Sequence, residues 1–220
     1  MSLVRELDLR LYLVTDEEMA RRRGRTLLEV VEFAVMGGAT VVQLRDKRSS
    51  SRDLLEKALA LKELLDGHGV PLIVNDRLDV ALAAGADGVH LGEEDIPVAL
   101  ARDLMPEGII GASAGTVEEA LRAQEEGADY LGVGDVFGTS SKPDAGPPIG
   151  LEGLRRICEA VSVPVVAIGG VRLDNAASAV MAGASGVAVI SAVFASDDPY
   201  ISAFHLRGVV DEALREVGRL

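Results

Sequence analysis

The residues of this 220-residue chain that could do chemistry are cations, carboxylates and small polar groups placed just after short apolar runs. The stretch "VVQLRDK" (41–47) begins as a buried strand and ends in an amide, Gln43, and two cations, Arg45 and Lys47. A core cannot hold such groups unpaired, so they read as lining a ligand site. Lys142 closes the small polar run "GTSSK" (138–142), and with Arg45 and Lys47 it would suit a di- or polyphosphate. Asp76 in "VNDR" (74–77) and Asp95 in "HLGEED" (90–95) could share a hard divalent cation such as Mg²⁺, which prefers carboxylates and water. "IGG" (168–170) and "IS" (190–191) offer backbone amides to a single phosphate. A metal, a pyrophosphate-like group and a separate phosphate point to two phosphorylated substrates meeting.

These residues need a frame that brings them together, and a repeat supplies it. "GGAT" (37–40), "AGAD" (84–87), "EGAD" (126–129) and "AGAS" (182–185) each end a helical stretch, and each leads straight into an apolar run. The glycine is the expected left-handed helix stop. With "LRLYLVTD" (9–16), "VPLIVN" (70–75), "EGIIGAS" (107–113) and "SVPVVAIGG" (162–170) the runs number eight. They alternate with helical segments such as 27–37, 51–66, 116–127, 150–161 and 173–182, and a last helix over about 200–217 closes the series. Near-continuous Val, Ile and Leu fits parallel strands buried on both faces. The length and the paired unit predict one (β/α)8 TIM-barrel domain over residues 1–220. An open dinucleotide-binding sheet would want a Gly-rich loop after the first strand, and "VTDEEMARRRG" is not one. In such a barrel the chemistry sits at the carboxyl ends of the strands, and the polar groups fall there: Gln43 to Lys47, Asn75 and Asp76, His90 to Asp95, Ser113, Thr139 to Lys142, Gly170, Ile190 and Ser191.

A formal net charge of −13 argues against nucleic acid or an anionic membrane as partner. A phosphorylated substrate must therefore find local cations or a metal. One cysteine, Cys158, rules out an intramolecular disulfide and fits a reducing cytoplasm. No run reaches the ~18 apolar residues of a membrane span, and "MSLVRELDLR" lacks the apolar centre of a signal peptide. A cytoplasmic protein acting on small molecules is the expectation, with a homo-oligomer left open.

Each element also has a plain structural reading. Asp76 could cap the next helix, and "GEED" could be a solvated turn. His90, on an apolar strand, reads as a satisfied core histidine rather than a base, and Cys158 as packing. The basic run "ARRRGR" (20–25) reads as a solvated loop. What favours the functional reading is coincidence, because polar groups end seven strands in register.

In order and spacing, "QLRDK", "VNDR", "HLGEED", "GAS" (111–113), "GTSSK", "IGG" and "IS" resemble the motif series of the thiamine phosphate synthases. The resemblance implies that a pyrimidine diphosphate (4-amino-2-methyl-5-pyrimidinylmethyl diphosphate) joins a thiazole phosphate, or its carboxylated form, giving thiamine phosphate and pyrophosphate. Carried over by position, Gln43, Leu44, Arg45, Asp46, Lys47, Asn75, Ser113 and Lys142 would hold the pyrimidine diphosphate, with Arg45, Lys47, Ser113 and Lys142 catalytic. Asp76 and Asp95 would bind Mg²⁺. Thr139, Ser140, Ser141, Gly170, Ile190 and Ser191 would hold the thiazole phosphate. Two positions depart from the pattern: Glu93 where Gln is common, and Gly115 where many relatives have His. The sister barrel thiazole tautomerase is thought to work through a histidine in that region, so its absence here argues against that activity.

Overall fold

The computed structural model describes residues 7–138 and 148–220. The eight apolar runs become the strands β1 (Leu11–Val14), β2 (Val41–Leu44), β3 (Leu72–Asn75), β4 (Gly88–Leu91), β5 (Ile109–Ala114), β6 (Tyr130–Val133), β7 (Val165–Ala167) and β8 (Gly186–Val189). They pair in parallel in chain order and close into a barrel, with Tyr12 of β1 opposite Ala188 of β8. Helices α1 (Glu17–Arg22) and α2 (Leu27–Met36) follow β1, and α3 (Ser51–His68), α4 (Leu78–Ala84), α5 (Val98–Leu104) and α6 (Val117–Glu125) follow the next four strands. Helix α7 (Gly150–Ala160) follows β6, α8 (Ala176–Met181) follows β7, and α9 (Ser191–Phe194) and α10 (Pro199–Glu216) follow β8. The (β/α)8 expectation holds. No helix among the described residues is long and apolar enough to cross a membrane.

Local chemistry sets the helix boundaries. Thr26 and Glu29 form a reciprocal capping box at α2, and Ser50, Thr116 and Asp198 each accept a backbone N–H at the starts of α3, α6 and α10. The repeat glycines Gly38, Gly85, Gly127 and Gly183 all take positive φ, turning each chain from helix into strand. Two helices were not anticipated. Asp16 accepts from the Met19 N–H and starts α1, so "ARRRGR" begins as a helix end rather than a loop, with Arg21 and Arg22 both reaching Glu18. The short α9 follows directly on β8. Helix α8 starts later than the pattern suggested, because the Arg172 N–H donates to Asn175 Oδ1 and makes 172–175 a turn.

Alternate residues of each strand face opposite ways, which divides the apolar residues into two cores. Leu13, Val42, Leu44, Val74, Val89 and Leu131 face the helices in the larger one. Tyr12, Val14, Val41, Ile73, Tyr130 and Val166 fill the barrel lumen. Space for two rings there comes from Gly111 and Gly132: a β-carbon would stand 2.1 Å from the Tyr130 ring at the first and 2.9 Å from the His90 ring at the second. Any larger residue would push Tyr130 or His90 aside.

Candidate active site

Gln43, Asn75, His90 and Ser113 share the lumen-facing register and form the floor at the carboxyl end of the barrel. Asn75 pairs with His90, and His90 with Gly111, two residues before Ser113. Under this floor runs a continuous chain of side-chain hydrogen bonds. Gln43 Nε2 lies 3.0 Å from Tyr12 Oη, Tyr12 Oη 2.6 Å from Tyr130 Oη, Tyr130 Oη 3.0 Å from His90 Nδ1, and His90 Nε2 3.0 Å from Ser113 Oγ. Burial pushes both tyrosine hydroxyls up from their ordinary values, so both keep their protons at neutral pH. His90 is thus the satisfied core histidine expected from the sequence, yet its bond to Ser113 ties that core to the rim.

The rim carries the charges. Asp76 takes φ +63°, a left-handed conformation that only Asp, Asn and Gly adopt with any ease. Its N–H donates to the His90 carbonyl at 2.8 Å. It does not cap α4, whose N-cap is Arg77 with no side-chain capping bond; instead its carboxylate meets Lys47 Nζ at 3.4 Å. Asp95 Oδ2 accepts the Gly92 N–H at 2.6 Å, so this carboxylate both braces the "GEED" turn and faces Asp76. Burial, then the neighbouring Asp76 carboxylate, raises the Asp95 carboxyl above its usual range; the Gly92 N–H and Lys47 oppose that without cancelling it. A carboxylate pair in which Asp76 disfavours the Asp95 charge fits a divalent cation completed by water or phosphate oxygens. No cluster of three or more His, Cys, Asp or Glu exists among the described residues, which excludes an all-protein cage there but not this arrangement. The Arg45 N–H donates to the buried Thr15 hydroxyl at 2.9 Å, anchoring the strand exit, while its guanidinium has no carboxylate partner among the described residues. In a chain of net charge −13, an arginine at a strand exit with no carboxylate partner among the described residues is placed for an anion. A cavity of about 320 Å³ opens beside Asp95 and Ser113, towards Arg122 of α6.

Across the rim, Gly170 takes φ +65° and packs on the backbone of Gly138. Neither the Gly170 N–H nor the Ser191 N–H has an acceptor among the described residues. Ile190 precedes α9 as its N-cap, and Ser191 is its first residue. Thr139, Ser140, Ser141 and Lys142 lie outside the described residues.

Comparison with known proteins supplies what geometry leaves open. The sequence profile of the thiamine monophosphate synthase family matches residues 11–193. The chain belongs to that family. It is 55% identical over 210 residues to the thiamine-phosphate synthase of Chloroflexus aurantiacus, covering 96% of each chain. It is 54% identical over 209 residues to that of Albidiferax ferrireducens, covering 94% of each. The solved thiamine phosphate pyrophosphorylase from Pyrococcus furiosus superposes with a TM-score of 0.86 at 46% identity, over 94% of this chain and 98% of that one.

Within this thiamine monophosphate synthase frame some expected site residues are placed differently from others. The Leu44 side chain sits in the outer core, so only its backbone can reach a ligand. Asp46 turns back into its own loop, where Lys57 Nζ lies 2.7 Å away and Ser49 Oγ 2.6 Å. Burial disfavours the Asp46 charge, but Lys57, Ser49 and the N–H groups of Arg48 and Ser49 outweigh it and hold the carboxyl well below the usual range. Asp46 therefore shapes the Arg45–Lys47 exit and has no free oxygen aimed at the rim that these contacts do not already use. At Gly115 the N–H donates to Glu119 Oε2 at 2.7 Å, and a side chain there would meet nothing closer than 3.7 Å. Sequence reasoning missed Tyr12, Thr15 and Tyr130; the available signal was a hydroxyl inside the runs "LYLVT" and "YLGV", in a chain only 3% aromatic.

Proposed function

We infer that this member of the thiamine monophosphate synthase family is a thiamine-phosphate synthase. It is a transferase that moves the pyrimidinylmethyl group from diphosphate to the nitrogen of a thiazole phosphate. The methylene C–O bond to the diphosphate breaks, the thiazole lone pair forms the new C–N bond, and thiamine phosphate and pyrophosphate leave. The observation that carries this reading is the rim itself: Arg45, with no carboxylate partner among the described residues, Lys47, and the facing Asp76 and Asp95 carboxylates stand over a neutral hydrogen-bonding floor. The 4-amino group feeds electron density into the pyrimidine as the leaving group departs, so the reaction asks for charge neutralisation rather than a strong base. The thiazole nitrogen needs no deprotonation, in keeping with a His90 whose two ring nitrogens are engaged with Tyr130 and Ser113.

In this account Gln43, Asn75 and Ser113 orient the pyrimidine, and Arg45, Lys47 and Lys142 bind the diphosphate. Asp76 and Asp95 would hold Mg²⁺, which when bound adds positive charge beside the leaving oxygens. The open N–H groups of Gly170 and Ser191, with Thr139, Ser140 and Ser141, would hold the thiazole phosphate. The reading is tested by expressing the chain in a bacterium that lacks its own thiamine-phosphate synthase. Growth without added thiamine supports it, provided the Asp76→Ala variant does not grow. No growth from a well-expressed, folded protein would refute it.

A further inference from the structure

The floor of the site is one connected hydrogen-bond chain whose two ends both reach the open lumen, and that connection constrains what it can bind. Gln43 and Ser113 sit on strands β2 and β5 and are joined through Tyr12, Tyr130 and His90. Each hydroxyl in the chain has one hydrogen, so a hydroxyl that accepts from one neighbour donates to the next. A neutral imidazole passes the direction on, because one nitrogen carries a proton and the other a lone pair. The Gln43 amide nitrogen faces Tyr12 and sets the sense. Gln43 donates to Tyr12, Tyr12 to Tyr130, Tyr130 to His90 Nδ1, and His90 Nε2–H to Ser113. A doubly protonated ring would donate to Tyr130 and leave the Tyr12 hydrogen with no acceptor in a site where that residue is 2% exposed. Among the described residues no fully buried side-chain nitrogen or oxygen lacks a partner, so Gln43 Oε1, which makes none of these bonds, reaches the lumen mouth. There Gln43 presents an acceptor and the Ser113 hydroxyl presents its hydrogen.

We propose that Tyr12, Tyr130 and His90 are positioning residues that lock Gln43 as acceptor and Ser113 as donor, so that the site selects a 4-aminopyrimidine over its 4-oxo counterpart. The inference rests on the transferase reading above and deepens it. An aminopyrimidine offers a donating amino group next to an accepting ring nitrogen; the oxo ring reverses both. To accept the oxo ring, the Gln43 amide must flip, three hydroxyls must rotate and His90 must change tautomer together. The relay therefore makes recognition at two strands one decision. It also protects the chemistry, since the amino group is the one that feeds the departing centre.

Two measurements test this. The first needs no ligand: a long-range ¹H–¹⁵N correlation spectrum of the unmodified protein, in which the His68 and His205 signals are assigned by their loss in His68→Gln and His205→Gln. His90 is expected as the neutral ring protonated on Nε2; a proton on Nδ1, or a doubly protonated ring at neutral pH, overturns the proposal. The second compares the amino and oxo pyrimidine diphosphates. The unmodified protein should prefer the amino form by about 10²-fold or more, as sites built around a substrate hydrogen bond do. Tyr130→Phe cuts the relay at its centre and Tyr12→Phe one link earlier. Both should reduce the preference to less than about 10-fold, because each half can then reorient alone, while KM for the thiazole phosphate stays unchanged. Selectivity that survives in both variants overturns the relay but leaves the transferase reading intact. If the unmodified protein binds neither diphosphate, the transferase reading fails and the selection falls with it.

Discussion

Replacing Asp95 by Asn should make the metal-free protein more stable and the enzyme nearly inactive. The amide retains an oxygen for the Gly92 N–H, bonded at 2.6 Å, so the turn is kept. It removes a negative charge that burial and Asp76 both disfavour. Two like charges about 4 Å apart near a surface repel by about 4 kcal/mol at an effective dielectric of 20. Lys47, 3.4 Å from Asp76, and the solvent open to both groups cancel most of that, leaving a gain of about 1 kcal/mol. For a chain of this size that raises Tm by about 2–4 °C in chelator. Excess Mg²⁺ should reverse the order. At a hundred times its Kd the ion stabilises the unmodified protein by about 2.7 kcal/mol, whereas the variant, short of one ligand, gains much less. The pH dependence has a definite sign. Because the folded Asp95 carboxyl titrates above its ordinary value of 3.8, its penalty is absent below that value and complete once pH has passed the raised one. The advantage of the variant should therefore grow as pH rises through that window and vanish in acid. Thermal unfolding with chelator and with Mg²⁺, beside steady-state kinetics, reads all of this, and kcat/KM should fall by on the order of 10²-fold. A variant less stable than the parent in chelator, or an equal Mg²⁺ shift in both proteins, would refute the reasoning.

Gly170→Ala should harm both substrates rather than only the thiazole phosphate. A β-carbon at 170 would stand 2.3 Å from the Gly138 carbonyl oxygen, and φ is +65°, so the backbone at Gly138 or at residue 170 itself must shift. Thermal unfolding should show a loss of about 1–3 kcal/mol, and kinetics a rise in both KM values. Arg45→Ala should weaken inhibition by inorganic pyrophosphate by about 10–10²-fold, the scale of charge-assisted bonds lost with one guanidinium, with the fold intact by circular dichroism. Asp46→Asn should cost stability while leaving substrate KM values within a few-fold of the parent. Its carboxyl is held below the usual range, so the stability it contributes is full above the ordinary carboxylate pKa and is lost as pH falls below it. Denaturant melts at neutral pH and near pH 3 should therefore differ for the parent minus the variant, with the gap closing in acid.

The barrel and most of the rim were legible because their signals are local. A helix stop, an apolar run and a polar exit recur within about a dozen residues, and Gln43 stands out as an amide inside a Val-rich strand. Asp76 was ambiguous by sequence between helix cap and ligand; the left-handed backbone and the ion pair with Lys47 decide against the cap. Asp46 shows the opposite case. It sits between two rim cations in the chain, but Lys57 on α3 draws it into the loop, a contact eleven residues away that adjacency cannot reveal. The floor relay was invisible for a deeper reason. Tyr12 and Tyr130 are 118 residues apart and meet only because the barrel closes, while Gly111 of β5 and Gly132 of β6 make room for the Tyr130 and His90 rings.

The most direct test of the account is to mix the purified protein with both phosphorylated substrates, with Mg²⁺ and with chelator, and to follow both products. The account predicts thiamine phosphate and pyrophosphate in equal amounts when both substrates and Mg²⁺ are present, and neither product when one substrate is withheld or the metal is removed. Undiminished turnover in chelator, or pyrophosphate released without thiamine phosphate while both substrates are present, would contradict it.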